Sequence, residues 1–137
     1  MVSAGIVYSK FVAKLSLPLQ ASFVRNFAQE WVEAWNSHDL DRILTHYDED
    51  VTIISPVALK LLSNGDGVVQ GKAALEQYFR RGQQAFPDRH FELIDVLWGV
   101  DTVVIYYSTN VRGKKGAEVV QLTSSGKIGR MWANYDQ

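Results

Sequence analysis

The chain has 137 residues, 47% hydrophobic and 21% charged, with a formal net charge of −1 and no cysteine. That length suits one domain with one core, and the near-neutral charge supplies no general basic field for nucleic acid or an anionic membrane surface. The lack of thiols excludes disulfides, thiolate catalysis and a cysteine-ligated zinc site, and no apolar run approaches the ~18 residues of a membrane span, so a cytoplasmic protein is expected.

Residues 1–20 form an N-terminal extension whose apolar character is interrupted by Lys10 and Lys14. It is expected to be partly helical, to end at Pro18, and either to pack on a neighbouring subunit or to stay mobile. The domain itself spans 21–137. Phe23, Val24, Phe27, Ala28, Trp31, Ala34 and Trp35 recur at three- and four-residue spacing, which predicts an amphipathic helix. Asn36-Ser37-His38-Asp39 breaks it, and Asp39 is placed to cap a short second helix carrying Leu40, Ile43, Leu44 and Tyr47. Asp48-Glu49-Asp50 closes that helix ahead of a strand, Val51 to Ser55, stopped by Pro56. Residues 57–70 are the least readable. Asn64-Gly65-Asp66-Gly67 is a turn signal, and Val68-Val69-Gln70 reads as a strand. Gly71 opens a third helix, Lys72 to about Phe86, with Leu75, Tyr78, Phe79 and Gly82 on its buried side, ended by Pro87-Asp88. Four strands follow, at His90 to Trp98, Thr102 to Arg112, Ala117 to Ser124 and Lys127 to Asp136, joined by connections short enough to require antiparallel neighbours. The class is α+β, with three helices on one face of a mostly antiparallel sheet.

The segments WVEAWNSHDLD (Trp31 to Asp41), YDEDVTIISP (Tyr47 to Pro56), GKAALEQYF (Gly71 to Phe79), FPDRHF (Phe86 to Phe91) and the final strand pair, in this order and spacing, resemble the nuclear transport factor 2-like superfamily. Within it they are similar to SnoaL-like domains and ketosteroid isomerases. The resemblance implies a cone: a strongly curved sheet wrapped on its concave face by the helices, with a pocket inside and an outer face that often forms a homodimer. It does not imply a function, because this fold hosts cyclases, isomerases, ligand binders and dimerisation modules.

Glu118 is the candidate acid/base. Strand alternation puts it on the side of Val120 and Leu122. If that side faces the pocket, its carboxyl lies among apolar walls, where the pKa rises and general acid/base work becomes available. By the resemblance, Glu118 matches the aspartic acid of the isomerases' oxyanion hole. Ser55 stands where the isomerases carry their catalytic base, and Trp31 where they carry an oxyanion tyrosine. Steroid isomerisation is therefore not expected.

Trp31 and Trp35 share one face of the first helix and would form an aromatic wall for a flat hydrophobic ligand. The resemblance places Tyr47, Phe79 and Tyr106 on the cavity, and Ser108 shares a face with Tyr106. On the last strand, Met131, Ala133 and Tyr135 are read as pocket-facing and Trp132 as outer, on a surface suited to a homodimer. The candidate ligand site is thus Trp31, Trp35, Tyr47, Ser55, Phe79, Tyr106, Ser108, Val120, Met131 and Tyr135. The three histidines do not cluster and no metal or cofactor motif appears. The basic spot Arg112-Gly113-Lys114-Lys115 reads as a solvated hairpin tip. Three functions stay open: a binder of a small hydrophobic molecule, a cofactor-independent lyase, cyclase or isomerase using Glu118, and a dimerisation module with a filled cavity.

Overall fold

The computed structural model describes residues 14–62 and 65–136. In chain order the elements are α1 (Ala21–Ser37), α2 (Leu40–Leu44), β1 (Tyr47–Ile54), α3 (Pro56–Leu62), β2 (Val68–Gln70), α4 (Lys72–Ala85), β3 (Phe91–Trp98), β4 (Thr102–Thr109), β5 (Lys115–Leu122) and β6 (Ile128–Tyr135). The strands form one six-stranded sheet in the order β2-β1-β6-β5-β4-β3. All neighbours are antiparallel except β1 and β6, which run parallel. The sheet is curled and unclosed, as the α+β cone requires.

The apolar stripe of α1 is the core seed: Val24, Phe27, Ala28, Trp31, Val32, Ala34 and Trp35 are all buried. The helix ends where His38 takes a left-handed φ of 59°. Asn36 then ties it to the sheet. Its side-chain amide donates to the Phe91 carbonyl and its carbonyl oxygen accepts the Phe91 N–H, both at 2.8 Å, so one side chain imitates a strand neighbour. Asp39 caps α2, its carboxylate accepting the Arg42 N–H at 3.2 Å.

Three sequence expectations change. Tyr47 and the acidic run Asp48-Glu49-Asp50 belong to strand β1, not to the end of a helix. Tyr47 pairs with Ile128 in the parallel ladder, whose register shifts before Thr52, and the strand pairing buries its side chain in the core. Residues 56–62 form a fourth helix, α3, begun by Pro56, whose ring is pre-set for a first helical position. Leu15 donates its N–H to the Ser124 carbonyl, and Leu19 donates to Val100 and is buried. The described part of the N-terminal extension is therefore non-helical and lies across the turns of its own sheet. Residues 1–13, Ser63, Asn64 of the expected turn, and Gln137 lie outside the described residues.

Candidate functional site

The helices and the concave sheet face enclose two adjoining cavities. The inner one, about 50 Å³, is lined by residues that include Trp31, Trp35, Ser55, Phe79, Glu118, Met131 and Tyr135. The outer one, about 370 Å³, opens between α3, the α4–β3 turn and the β4–β5 hairpin. Val57, Leu61, Arg89, Phe91 and Tyr135 border both. The outer volume falls within the range of ligand pockets, roughly 300–1,000 Å³. The inner one admits only the end of a ligand or a few waters.

Glu118 is 4% exposed. It stands on β5 between Ile105 of β4 and Ala133 of β6, on the concave face with Val120 and Leu122. One carboxylate oxygen, Oε1, accepts the Tyr107 hydroxyl at 2.9 Å. The other, Oε2, is buried and has no hydrogen-bond partner among the described residues. Burial pushes the pKa up to about 7, against the opposing Tyr107 hydrogen bond and the charge of Arg89. Near neutrality the group therefore populates both protonation states.

Tyrosines surround it. Tyr107 and Tyr135 have pKa values raised well above the usual tyrosine range, first by burial and then by the nearby Glu118 charge. They remain protonated hydrogen-bond donors. Tyr78 donates to Ser55 Oγ at 3.1 Å, and the same Ser55 oxygen accepts the Val57 N–H at 3.1 Å, which starts α3. Tyr47 is fully buried, accepts the Trp31 indole N–H at 3.1 Å and leans on Met131. The indole N–H of Trp35 is buried and has no hydrogen-bond partner among the described residues. Trp31, Trp35, Phe79, Phe91 and Tyr107 pack on one another in stacked, tilted and edge-on pairs with ring centroids 4.4–6.0 Å apart, forming an apolar wall.

The sequence-derived set divides. Glu118, Trp31, Trp35, Ser55, Phe79, Met131 and Tyr135 come together on the inner cavity. Tyr47 and Val120 are buried behind that lining and border neither cavity. Tyr106 and Ser108 are corrected: they lie on the opposite, outer face of β4, while Val103, Ile105 and Tyr107 face the core. Every residue from Val103 to Tyr107 is apolar or aromatic, so alternation alone does not say which set points inward. The pairing of Ile105 with Glu118 decides it.

Sequence reading missed Tyr107 as the partner of Glu118, Tyr78 as the partner of Ser55, and Arg89. Arg89 follows the Pro87-Asp88 turn, and its guanidinium lies 4.9 Å from the Trp35 ring centre and 5.6 Å from that of Phe91. A cation flanked by Phe86 and Phe91 was the only signal available. The basic hairpin tip is solvated as expected, with Arg112, Gly113 and Lys115 exposed, and Arg112 and Lys114 also border the outer cavity. His46 borders neither cavity and contacts Glu30, which also holds Arg42. Burial lowers its pKa against the pull of Glu30. Among the described residues no three His, Asp or Glu side chains group to hold a metal ion, and no helix is long and apolar enough to cross a membrane.

With this geometry in view, comparison with known proteins places the chain. The SnoaL-like domain family model matches residues 28–128. The chain belongs to the SnoaL-like family. A SnoaL-like protein of unknown function from Burkholderia thailandensis is 34% identical, with a TM-score of 0.83 over 88% of this chain and 99% of that one. A SnoaL-like family protein from Agrobacterium tumefaciens, provisionally assigned as an isomerase, is 18% identical, with a TM-score of 0.68 over 85% of this chain and 99% of that one. A provisionally assigned ketosteroid isomerase from Kribbella flavida is 13% identical, with a TM-score of 0.65 over 85% of this chain and 79% of that one. The last two share the fold alone. No curated protein matches the chain significantly.

Proposed function

We propose that this SnoaL-like protein is a cofactor-independent enzyme that moves a proton on a small, largely aromatic molecule, in the manner of a lyase, cyclase or isomerase, with Glu118 as general acid/base. One observation carries this reading: Glu118 is buried, one oxygen is held by Tyr107, and the other is left unpartnered on a cavity wall. The large majority of buried side-chain polar atoms have a hydrogen-bond partner, so a bare carboxylate oxygen on a cavity wall points to a role beyond packing. A carboxyl that titrates near neutrality both takes and returns a proton efficiently.

The substrate body would lie in the outer cavity, with its reacting end in the inner one. Glu118 Oε2 would remove a proton from carbon next to a carbonyl, becoming the neutral acid. The oxygen that gains charge would be met by the hydroxyl donor of Tyr135 on the same lining. Return of the proton to another atom completes an isomerisation, and attack of the carbanion on a second carbonyl completes a cyclisation. Ser55 has no adjacent base. Its hydroxyl oxygen is engaged by Tyr78 and Val57, which suits orientation, not proton abstraction.

The test is exchange of α-hydrogens for deuterium in a panel of aryl ketones, followed by NMR in heavy water. Wild type should accelerate exchange for at least one member, and Glu118→Gln should slow it by about a hundred- to ten-thousand-fold. Equal rates for the two proteins would refute Glu118 as the proton carrier.

A further inference from the structure

Arg89 sits where the two cavities adjoin. Among the described residues it makes no side-chain hydrogen bond and no ion pair, although it borders both cavities. It rests on the rings of Trp35, Phe86 and Phe91. Its terminal nitrogens lie against Gly82 of α4, 3.7 Å from where a Cβ would stand. The guanidinium is thus held in place by flat apolar surfaces, and its N–H fork remains unused. Burial lowers its pKa, against the tyrosines and Glu118 around it, yet an arginine stays charged.

The outer cavity repeats the theme. Lys60 of α3 and Arg112 and Lys114 of the β4–β5 hairpin line it together with Arg89, and none of these cations is in an ion pair among the described residues. Among the described residues Asp136 is the one carboxylate on that lining, and its Oδ1 already accepts the Lys115 N–H at 2.8 Å. Thr109 and Tyr135 add two hydroxyls, and the remainder is apolar, with Val57, Leu61, Phe86, Phe91 and Val111 among it. Four cations against one acid is a local excess that the whole chain, at −1, does not share.

We propose that the site takes an organic anion: an aromatic molecule whose carboxylate-like group is received by the N–H fork of Arg89 between the two cavities, drawn in by Lys60, Arg112 and Lys114. This rests on the reading of the cavity as a small-molecule site and adds the class of ligand. Arg89 is the anchor because it is half-buried and already oriented, so a planar anion gains paired charge-assisted hydrogen bonds at little entropic cost. The other three are more exposed and are worth less individually, but they raise the local concentration of anions.

The experiment is a fluorescence titration of the full chain with pyrenebutyrate and with pyrenebutyramide, which match in shape and differ in charge. The acid should bind about ten- to a hundred-fold tighter than the amide. Arg89→Gln should erase that preference, and Arg89→Lys should keep part of it, since the charge stays and the fork is lost. The exposed triple variant Lys60→Ala/Arg112→Ala/Lys114→Ala should keep the preference while slowing association and flattening its salt dependence. Equal affinity for acid and amide, a preference that survives Arg89→Gln, or no binding of either probe would each overturn the proposal. The deuterium-exchange result for Glu118→Gln is independent of all three, so a failed ligand class and a failed catalytic role are told apart.

Discussion

Glu118 shows how a single buried group ties stability to chemistry. In the unfolded chain its carboxyl has an ordinary value near 4.5, and in the folded protein it titrates at about 7. Between those values the folded state holds the proton and the unfolded state does not. The group's contribution is therefore full below the lower value, declines as pH rises through the window, and is level above the upper one. The whole span is worth roughly 3 kcal/mol. Glu118→Gln keeps an acceptor for Tyr107 but has no charge to desolvate. Urea unfolding at several pH values should show the wild type losing stability relative to the variant across that window, with parallel profiles above it. Profiles parallel throughout would mean that the carboxyl is not desolvated. The same residue shows what a sequence carries: alternation placed Glu118 with Val120 and Leu122, and only the fold determined that one oxygen would be satisfied and the other left bare.

The β4–β5 pair builds the site through a missing side chain. Tyr107 pairs with Gly116, and its ring occupies the space where a Cβ would stand, with ring atoms 2.5 Å from that position. No real Cβ tolerates such a contact, so Gly116→Ala must push Tyr107 out of its seat. Stiffening the unfolded chain would return about 0.4–1 kcal/mol, less than the roughly 1–3 kcal/mol that overpacking costs. The net effect should be a lower denaturant midpoint. Loss of the Tyr107 hydrogen bond, which lowers the Glu118 pKa, should also raise the carboxyl titration followed by NMR. If neither quantity moves, Tyr107 is free to turn aside and is not positioned by the glycine. Nothing local in the sequence announces this fit, because Gly116 next to Lys115 reads as one more turn residue. The α3 helix is a similar case. Its seven residues are too few for a clear period, and it is held by packing on α4 and by Ser55, whose hydroxyl serves both Val57 and Tyr78.

At the scale of the whole molecule, no element among the described residues covers the convex face of the sheet. One apolar row crosses five strands: Leu97, Val104, Val119, Trp132 and Ile54 are successive cross-strand neighbours. Leu97 is 56% exposed, and Arg130 lies over the Trp132 ring at 5.6 Å. Such a stripe favours a second copy of the chain. We expect a homodimer in sedimentation velocity at micromolar concentration and a monomer for Trp132→Glu. A monomeric wild type, or a dimer indifferent to that substitution, would remove this face as the interface.

Features whose cause is local were readable from the sequence by itself. The α1 stripe, the Asp39 cap, strand β2, the third predicted helix and the inward set Met131, Ala133 and Tyr135 all follow from periodicity or from residue types within a few positions, and their order was enough to indicate the fold. Tertiary structure decided whatever depends on partners distant in the chain. Tyr106 and Tyr107 exchange faces with a one-residue change of register, and only the pairing of β4 with β5 chooses between them. Arg89 becomes a site residue because α1 and β3 bring Trp35 and Phe91 beneath its guanidinium. Burial, which changes the chemistry of Glu118, belongs to the assembled cone and to no segment of it.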